Sequence, residues 1–480
     1  MRITIDGTRL RDAFGRQRVF RGINLVAKGG QEPHGTFVER GFKGEWSKDD
    51  IDDLRARGFD LVRLGVMWAA VEPEPGVYDD AYLDWVVEQL DLLRDAGMVA
   101  LLDSHQDLYS QSFGDGAPHW ATQSSQAFEA TDLWSDAYLA SPALHEALDA
   151  FWANAPGPGG VGLQDRFAAM WAHVARRVGR HPAVMGHDLL NEPAPGSPAP
   201  QIFEALIGTF AAVSGQDPQQ VFADFGDPEA KFAQLARLED EALYRQLGDA
   251  IHPLVRDFEV GAVAPMMDKV AAVVRAVDCE KLIAREHSYF ANLGVPSGQP
   301  PLADPAWVYS PHGYDLTVDT PAIALSSDIR AGVIFSRHRE TQERLGVPVI
   351  VGEWGALSLG DGVRRHGEFL MDLFDTYGWS WTYWVWEPGF ASSEAAATLT
   401  RPRPVAFAGT AESWSVRDGG LVATWIGDDG EQPSVFFVPE TGEPRRVTVL
   451  CDGVEVEAAL QGPWIVIDPA PGRFELSVER

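Results

Sequence analysis

Short apolar runs alternate with amphipathic stretches over most of the chain. The runs are "VFRGINLV", "LVRLGVMW", "MVALLDSHQ", "VMGHDLLNE", "KLIAREHS", "WVYSPHGYD", "VPVIVGEWG" and "WSWTYWVWE". Each is rich in branched or aromatic residues and reads as a buried strand. Between them, apolar positions recur at helical spacing. In "DDAYLDWVVEQLDLLRDAG", Tyr82, Trp85, Val86, Leu90 and Leu93 share one face, and Gly97 ends the helix. Eight strands in βα alternation predict an α/β fold, a (β/α)8 TIM barrel. The alternative, a doubly wound sheet, would carry a glycine-rich phosphate turn after its first strand, and none is present.

Both ends of the chain break this rhythm. "RITIDGTRLRDAFGRQRVF" reads as a hairpin with turns at Asp6-Gly7 and Phe14-Gly15. After "RPRP", near Arg401, helical spacing disappears. "LVATWIG", "SVFFVP", "RRVTVLCDG", "WIVID" and "FELSVER" alternate with period two. The expected organisation is a barrel with the N-terminal hairpin over residues 1–400 and an antiparallel β-sandwich over 401–480.

Two connections are oversized. One follows the third strand, from about Tyr109 to Gly160, and carries Phe113, Trp120, Phe128, Trp134, Tyr138, Phe151 and Trp152. The other follows the fourth strand, from about Ala194 to Pro265. Long insertions after barrel strands lie on the catalytic face. The aromatic one either lines an apolar groove for a lipid aglycone or packs onto the barrel.

Composition narrows the function. The net charge is −31, from 39 basic and 70 acidic residues, which argues against nucleic acid and anionic lipid surfaces as partners. No apolar run is long enough for a bilayer, so stable membrane insertion is not expected. "MRITIDGTRL" has no apolar leader core; this predicts a cytoplasmic protein, or a secreted one from which the leader has been removed. Cys279 and Cys451 stand far apart, in segments assigned to different domains, and supply neither a disulfide framework nor a cysteine-rich metal site. A monomer is expected.

In a barrel, polar residues at the C-terminal strand ends converge on one pocket. Here those are Arg63 on the second strand; His105 and Asp107 on the third; Asn191 and Glu192 on the fourth; Glu286 and His287 on the fifth; His312 and Tyr314 on the sixth; Glu353 on the seventh; and Trp386 and Glu387 on the eighth. Glu192 and Glu353 face each other across the mouth. Two such carboxylates are the minimum equipment for glycoside hydrolysis. A retaining mechanism requires them about 5 Å apart, whereas about 8 Å would mean inversion. Pro193 should bias Glu192 towards an extended backbone. The bland alternatives are a structural ion pair for Arg63 and satisfied core histidines for His105 and His312. Glu286 and His287 read as barrel interior. No metal-ligand spacing accompanies the histidines, so neither metal nor other cofactor is expected.

As a set, "LVRLGV", "DSHQD", "LLNEP", "SPHGYD", "VGEWG" and "YWVWE" resemble glycoside hydrolase family 5. "DSHQDLYS", "NLVAK", the aromatic insertion and the C-terminal sandwich resemble its endoglycoceramidase and glucosylceramidase branch. The resemblance implies Glu192 as acid/base and Glu353 as nucleophile. It implies Asn191 as the amide on the sugar 2-hydroxyl and Arg63 as the cation that keeps the nucleophile ionised. His105 and Asp107 correspond to the pocket floor, His312 and Tyr314 to the pair beside the nucleophile, and Trp386 to the aromatic platform. Lys28 and Glu387 are looser matches to sugar-hydroxyl contacts. The implied activity is retaining cleavage between sugar headgroup and ceramide. Rivals are a β-glucosidase or endoglucanase on soluble or steryl glycosides, and a catalytically silent carbohydrate-binding barrel. The C-terminal sandwich shows no aromatic platform, which favours structural packing over sugar binding.

Overall fold

In the computed structural model, which describes residues 2–28, 42–278, 280–320, 322–357, 363–440 and 446–479, the apolar runs become eight parallel strands. They are β1 (Arg21–Leu25), β2 (Leu61–Met67), β3 (Val99–His105), β4 (Val184–Asp188), β5 (Leu282–Arg285), β6 (Trp307–Tyr309), β7 (Ile350–Val351) and β8 (Ser380–Tyr383). Strands β1 to β6 pair in chain order, and β8 joins β1 to β7. Parallel bridges from Tyr309 to Val349 and from His312 to Glu353 complete the ring. Cys279 lies outside the described residues.

The helix between β2 and β3 shows how local sequence sets the elements. It spans Asp80–Asp95, and Asp79 caps it by accepting from the N–H groups of Ala81 and Tyr82. Tyr82, Leu83, Val86, Leu90 and Leu93 are buried on one face, each contributing roughly 1.5–3 kcal/mol of apolar burial. Gly97 follows with φ +71°, a left-handed position that suits glycine.

The N-terminal hairpin does more than precede the barrel. Ile3 and Leu10 pack with Phe20, Leu61, Val99, Met185, Leu282 and Ile350, plugging the N-terminal ends of the strands. Its next strand, Gln17–Arg18, pairs antiparallel with Arg403–Phe407. The hairpin, expected with the barrel, is thus hydrogen-bonded into a seven-stranded sheet of the C-terminal region. The facing five-stranded sheet packs on it through Phe407, Trp425, Phe436, Ile465 and Phe474.

The aromatic insertion mostly packs. Phe113, Tyr138 and Phe151 are buried, and Trp120, Phe128, Trp134 and Trp152 lie partly buried against the barrel core. The insertion after β4 is helical and ends in a π-helical turn, Glu259–Val263, before the helix leading to β5. Among the described residues no helix is long and apolar enough to cross a membrane.

Candidate active site

Arg63, wholly buried, is the hub; it is the third residue of β2 and not at that strand's C-terminal end as expected, and its long side chain makes up the distance. Its guanidinium reaches Glu353 at 2.6 Å, Asp103 at 2.8 Å, Asp188 at 2.9 Å and Glu286 at 2.8 Å. It also donates to Oδ1 of Asn24 and Asn191. The expected partner, Glu353, is therefore one of four carboxyls sharing a single cation. Glu353 receives a second donor at its other oxygen, the Tyr314 hydroxyl at 2.8 Å.

Glu192 departs from the extended backbone expected before Pro193. Its φ is +42°, in the left-handed region. Such a conformation costs on the order of 1–3 kcal/mol and persists only where the surroundings impose it. Two side chains impose it here. Glu286 accepts the Glu192 N–H at 2.7 Å, and Gln106 Nε2 donates to the carbonyls of Asn191 and Glu192. The proline preference yields to these bonds, and the turn brings the Glu192 carboxyl over the pocket.

There Oε1 of Glu192 accepts from Asn292 Nδ2 at 2.6 Å and lies 3.0 Å from His312 Nδ1. One carboxyl oxygen of Glu192, one of Glu353 and a nitrogen of His312 all fall within 4.8 Å of one another. This nearest approach fits the close pairing of retaining glycosidases, whose carboxyl groups stand about 5–5.5 Å apart. Burial, and then the Glu353 charge, raise the Glu192 pKa, while His312 pulls the other way. Burial disfavours a charged His312, but Glu286 and Glu353 outweigh it and hold the ring protonated well above the usual imidazole range.

The floor is a second charged cluster. The Lys28 ammonium is paired with Asp107. His105 sits between Asp103, 2.8 Å from Nδ1, and Asp107, 3.7 Å from Nε2. Burial opposes protonation of His105, but Asp103 prevails and raises its pKa to about 10. Asp115, which accepts the Asp107 N–H at 2.7 Å, is pushed up to about 7 by burial and by Asp107. Among the described residues, three groups of carboxylates and histidines are compact enough to hold a metal ion: His105 with Asp107 and Asp115, Glu192 with His312 and Glu353, and Asp103 with Asp188 and Glu286. Arg63 serves the third as its cation, and Lys28 pairs with Asp107 of the first.

At the eighth strand the structure brings in Trp384. Its ring stacks on His105 at 5.3 Å between centroids, and the Lys28 ammonium lies 4.4 Å from it. Trp386, the expected platform, meets Trp46 edge-on at 6.0 Å instead. Glu387 is exposed on the turn beyond. Asn191, next to Glu192 in the chain, donates from Nδ2 to the Gln106 carbonyl and accepts from Arg63 at Oδ1. That leaves one Nδ2 hydrogen for a ligand.

Residues 30–389 match the family model described as Cellulase (glycosyl hydrolase family 5). The chain belongs to glycosyl hydrolase family 5. As a member of that family it is a retaining glycoside hydrolase. Endoglycoceramidase I of Rhodococcus hoagii (strain 103S) is 27% identical over 99% of this chain and 87% of its own length. A glucosylceramidase of Cryptococcus neoformans var. grubii is 30% identical over 40% of this chain and 33% of its own. Endo-glycoceramidase II from Rhodococcus sp., solved with a five-membered iminocyclitol, superposes with a TM-score of 0.74 at 25% identity, covering 98% of each chain.

Sequence reasoning missed several residues of this family 5 site. Glu286 and His287 are buried in the barrel interior as expected, but Glu286 also touches Arg63, His312 and the Glu192 backbone. A carboxylate in "LIAREHS" was the available signal. Asp103 and Asp188 sit mid-motif and carried a similar one. Asn24 holds the Gly352 carbonyl just before Glu353. Asn292 and Trp384 had no distinguishing signal.

Proposed function

We propose that this chain cleaves the β-glycosidic bond between sugar headgroup and ceramide of glycosphingolipids. The reading rests on one conjunction: two carboxyls within 4.8 Å at the end of β4 and after β7, in a chain similar over nearly its whole length to an endoglycoceramidase.

The geometry supports a double displacement. Glu353 attacks the anomeric carbon and forms a glycosyl ester. Arg63 and Tyr314 each occupy a carboxylate oxygen and fix its orientation. Glu192 gives its proton to the aglycone oxygen, so ceramide leaves as a neutral alcohol. With the sugar esterified, Glu192 is a carboxylate. It takes a proton from water as that water attacks the anomeric carbon, which breaks the bond from that carbon to the Glu353 oxygen and releases Glu353 as a carboxylate. Trp384 supplies the apolar ring for the cleaved sugar. Lys28, His105 and Asp107 meet its hydroxyls, and the remaining Asn191 hydrogen serves the 2-hydroxyl, a contact that strengthens in the transition state.

The test is to incubate the protein with glucosylceramide, galactosylceramide, lactosylceramide and an aryl glucoside, and to identify the released sugars. Intact lactose marks endo action. A monosaccharide from glucosyl- or galactosylceramide, with lactosylceramide untouched, marks exo action. Turnover of the aryl glucoside alone would refute the lipid reading.

A further inference from the structure

One residue packed on the acid has no part in the cycle above. Asn292 lies on the short turn Tyr289–Leu293 after β5 and is 5% exposed. Its Nδ2 donates to Glu192 Oε1 at 2.6 Å, and His312 Nδ1 stands 3.0 Å from the same oxygen. Among the described residues, Asn292 Oδ1 has no hydrogen-bond partner. Burying an amide with one end unpaired is unfavourable, so packing alone does not account for it. The bond to Glu192 does.

The turn is held in place from two sides. The Tyr289 N–H donates to the Pro193 carbonyl at 2.9 Å, directly beside Glu192. Buried Glu259, in the π-helical turn, accepts from the Ser288 N–H and the Ser297 hydroxyl, each at 2.9 Å, and from the Gly298 N–H. The insertion after β4 thus anchors the segment that presents Asn292.

A neutral carboxyl has a single O–H. An oxygen already accepting two N–H donors is a poor place for that hydrogen, so it resides on the other oxygen. We propose that Asn292 is a positioning residue: together with His312 it fills Glu192 Oε1, which puts the transferable proton on Oε2, and it stabilises the carboxylate once the proton has gone. This rests on Glu192 as the acid/base. The charged and titratable groups facing Glu192 are His312, Glu353, Asp107, Tyr138, Tyr289 and Tyr314, with Glu286 at its backbone N–H. Asn292 is neutral, so replacing it with alanine changes no charge. It removes a donor to the ionised form and therefore raises the Glu192 pKa.

The experiment compares the full chain with its Asn292→Ala and Asn292→Ser variants on two leaving groups. One is the glycosylceramide that the protein cleaves, whose alkoxide needs the proton. The other is the fluoride of the same sugar, whose leaving group departs as an anion. For ceramide, kcat/KM should fall on the order of 10–100-fold, part of what general acid catalysis contributes. For the fluoride it should stay within about twofold, because no such proton is required. The alkaline limb of the ceramide profile should move to higher pH. Equal losses on both substrates with an unmoved limb would overturn the proposal, as would no loss on either. Thermal melting of each variant identifies one that has not folded, and the other then carries the comparison. Glu192→Ala on the same pair separates the two readings. If it loses both substrates equally, the acid assignment fails. If it loses ceramide selectively while the Asn292 variants do not, the positioning role alone fails.

Discussion

Arg63 shows what a single buried cation can organise. It is fully buried and holds Asp103, Asp188, Glu286 and Glu353 together. Replacing it with methionine keeps the bulk but leaves carboxyls buried without their cation. Breaking buried pairs in this way costs about 3–5 kcal/mol. Arg63→Met should therefore lose that much in urea unfolding, as well as activity; a loss below about 1 kcal/mol would mean that solvent or rearrangement satisfies the carboxyls. His105 sets a pH dependence of its own. Its pKa is raised on folding from 6.5 to about 10. Its contribution to stability is therefore complete below the unfolded value and is lost as pH rises through 10. Urea midpoints of the wild type should fall between pH 7 and 10, and His105→Asn should lack that part of the fall. Parallel curves for the two proteins would refute it.

At the scale of elements, the sequence displayed whatever a regular strand controls. The barrel strands are buried on both faces, and their side chains alternate in direction, so Glu192, His312 and Glu353 were legible as polar residues following buried apolar runs and Arg63 as a charge inside one. Beyond a strand end, alternation no longer sets direction. Strand β8 stops at Tyr383, and Trp384 rather than Trp386 turns over His105. Asn292 sits on a turn with no periodic pattern. The left-handed backbone of Glu192 depends on Glu286 and Gln106, which are distant in sequence. Trp384→Ala should lower kcat/KM about 10–100-fold, the equivalent of roughly 1.5–3 kcal/mol for an aromatic face that buries against the sugar. Trp386→Ala, which removes a ring packed on Trp46, should act mainly on thermal stability. Steady-state kinetics on both variants checks the contrast, and a larger kinetic loss in Trp386→Ala would restore the original platform assignment.

At the scale of the whole molecule, the two β-rich ends of the chain meet under the barrel, away from the chemistry. Asp60, just before β2, pairs with Arg403 at 2.9 Å and Arg18 at 3.3 Å, and accepts the Arg21 N–H at 3.0 Å. Asp375 similarly gathers Arg21, Arg401 and the Trp414 indole. These carboxylates stand at the N-terminal ends of the strands, while Glu192 and Glu353 stand at the opposite ends. The C-terminal β-rich region therefore braces the N-terminal end of the barrel, and among the described residues the groups gathered around Glu192 and Glu353 all come from the barrel and its loops. Burial alone would raise the Asp60 pKa, but Arg403 and Arg18 outweigh it and hold the pKa below its ordinary 3.8. Its contribution to stability is present above pH 3.8 and is lost as pH falls through the lower folded value. Asp60→Asn should cost about 3–5 kcal/mol at neutral pH, because the buried Arg403 guanidinium loses its carboxylate, while Arg18 loses one and keeps Asp12 at 3.8 Å. It should also flatten the acid limb of the stability profile and leave kcat unchanged wherever the protein remains folded. Melting curves and turnover measured on the same variant decide it: a fall in kcat with unchanged melting would show that the sandwich communicates with the pocket, contrary to a purely bracing role.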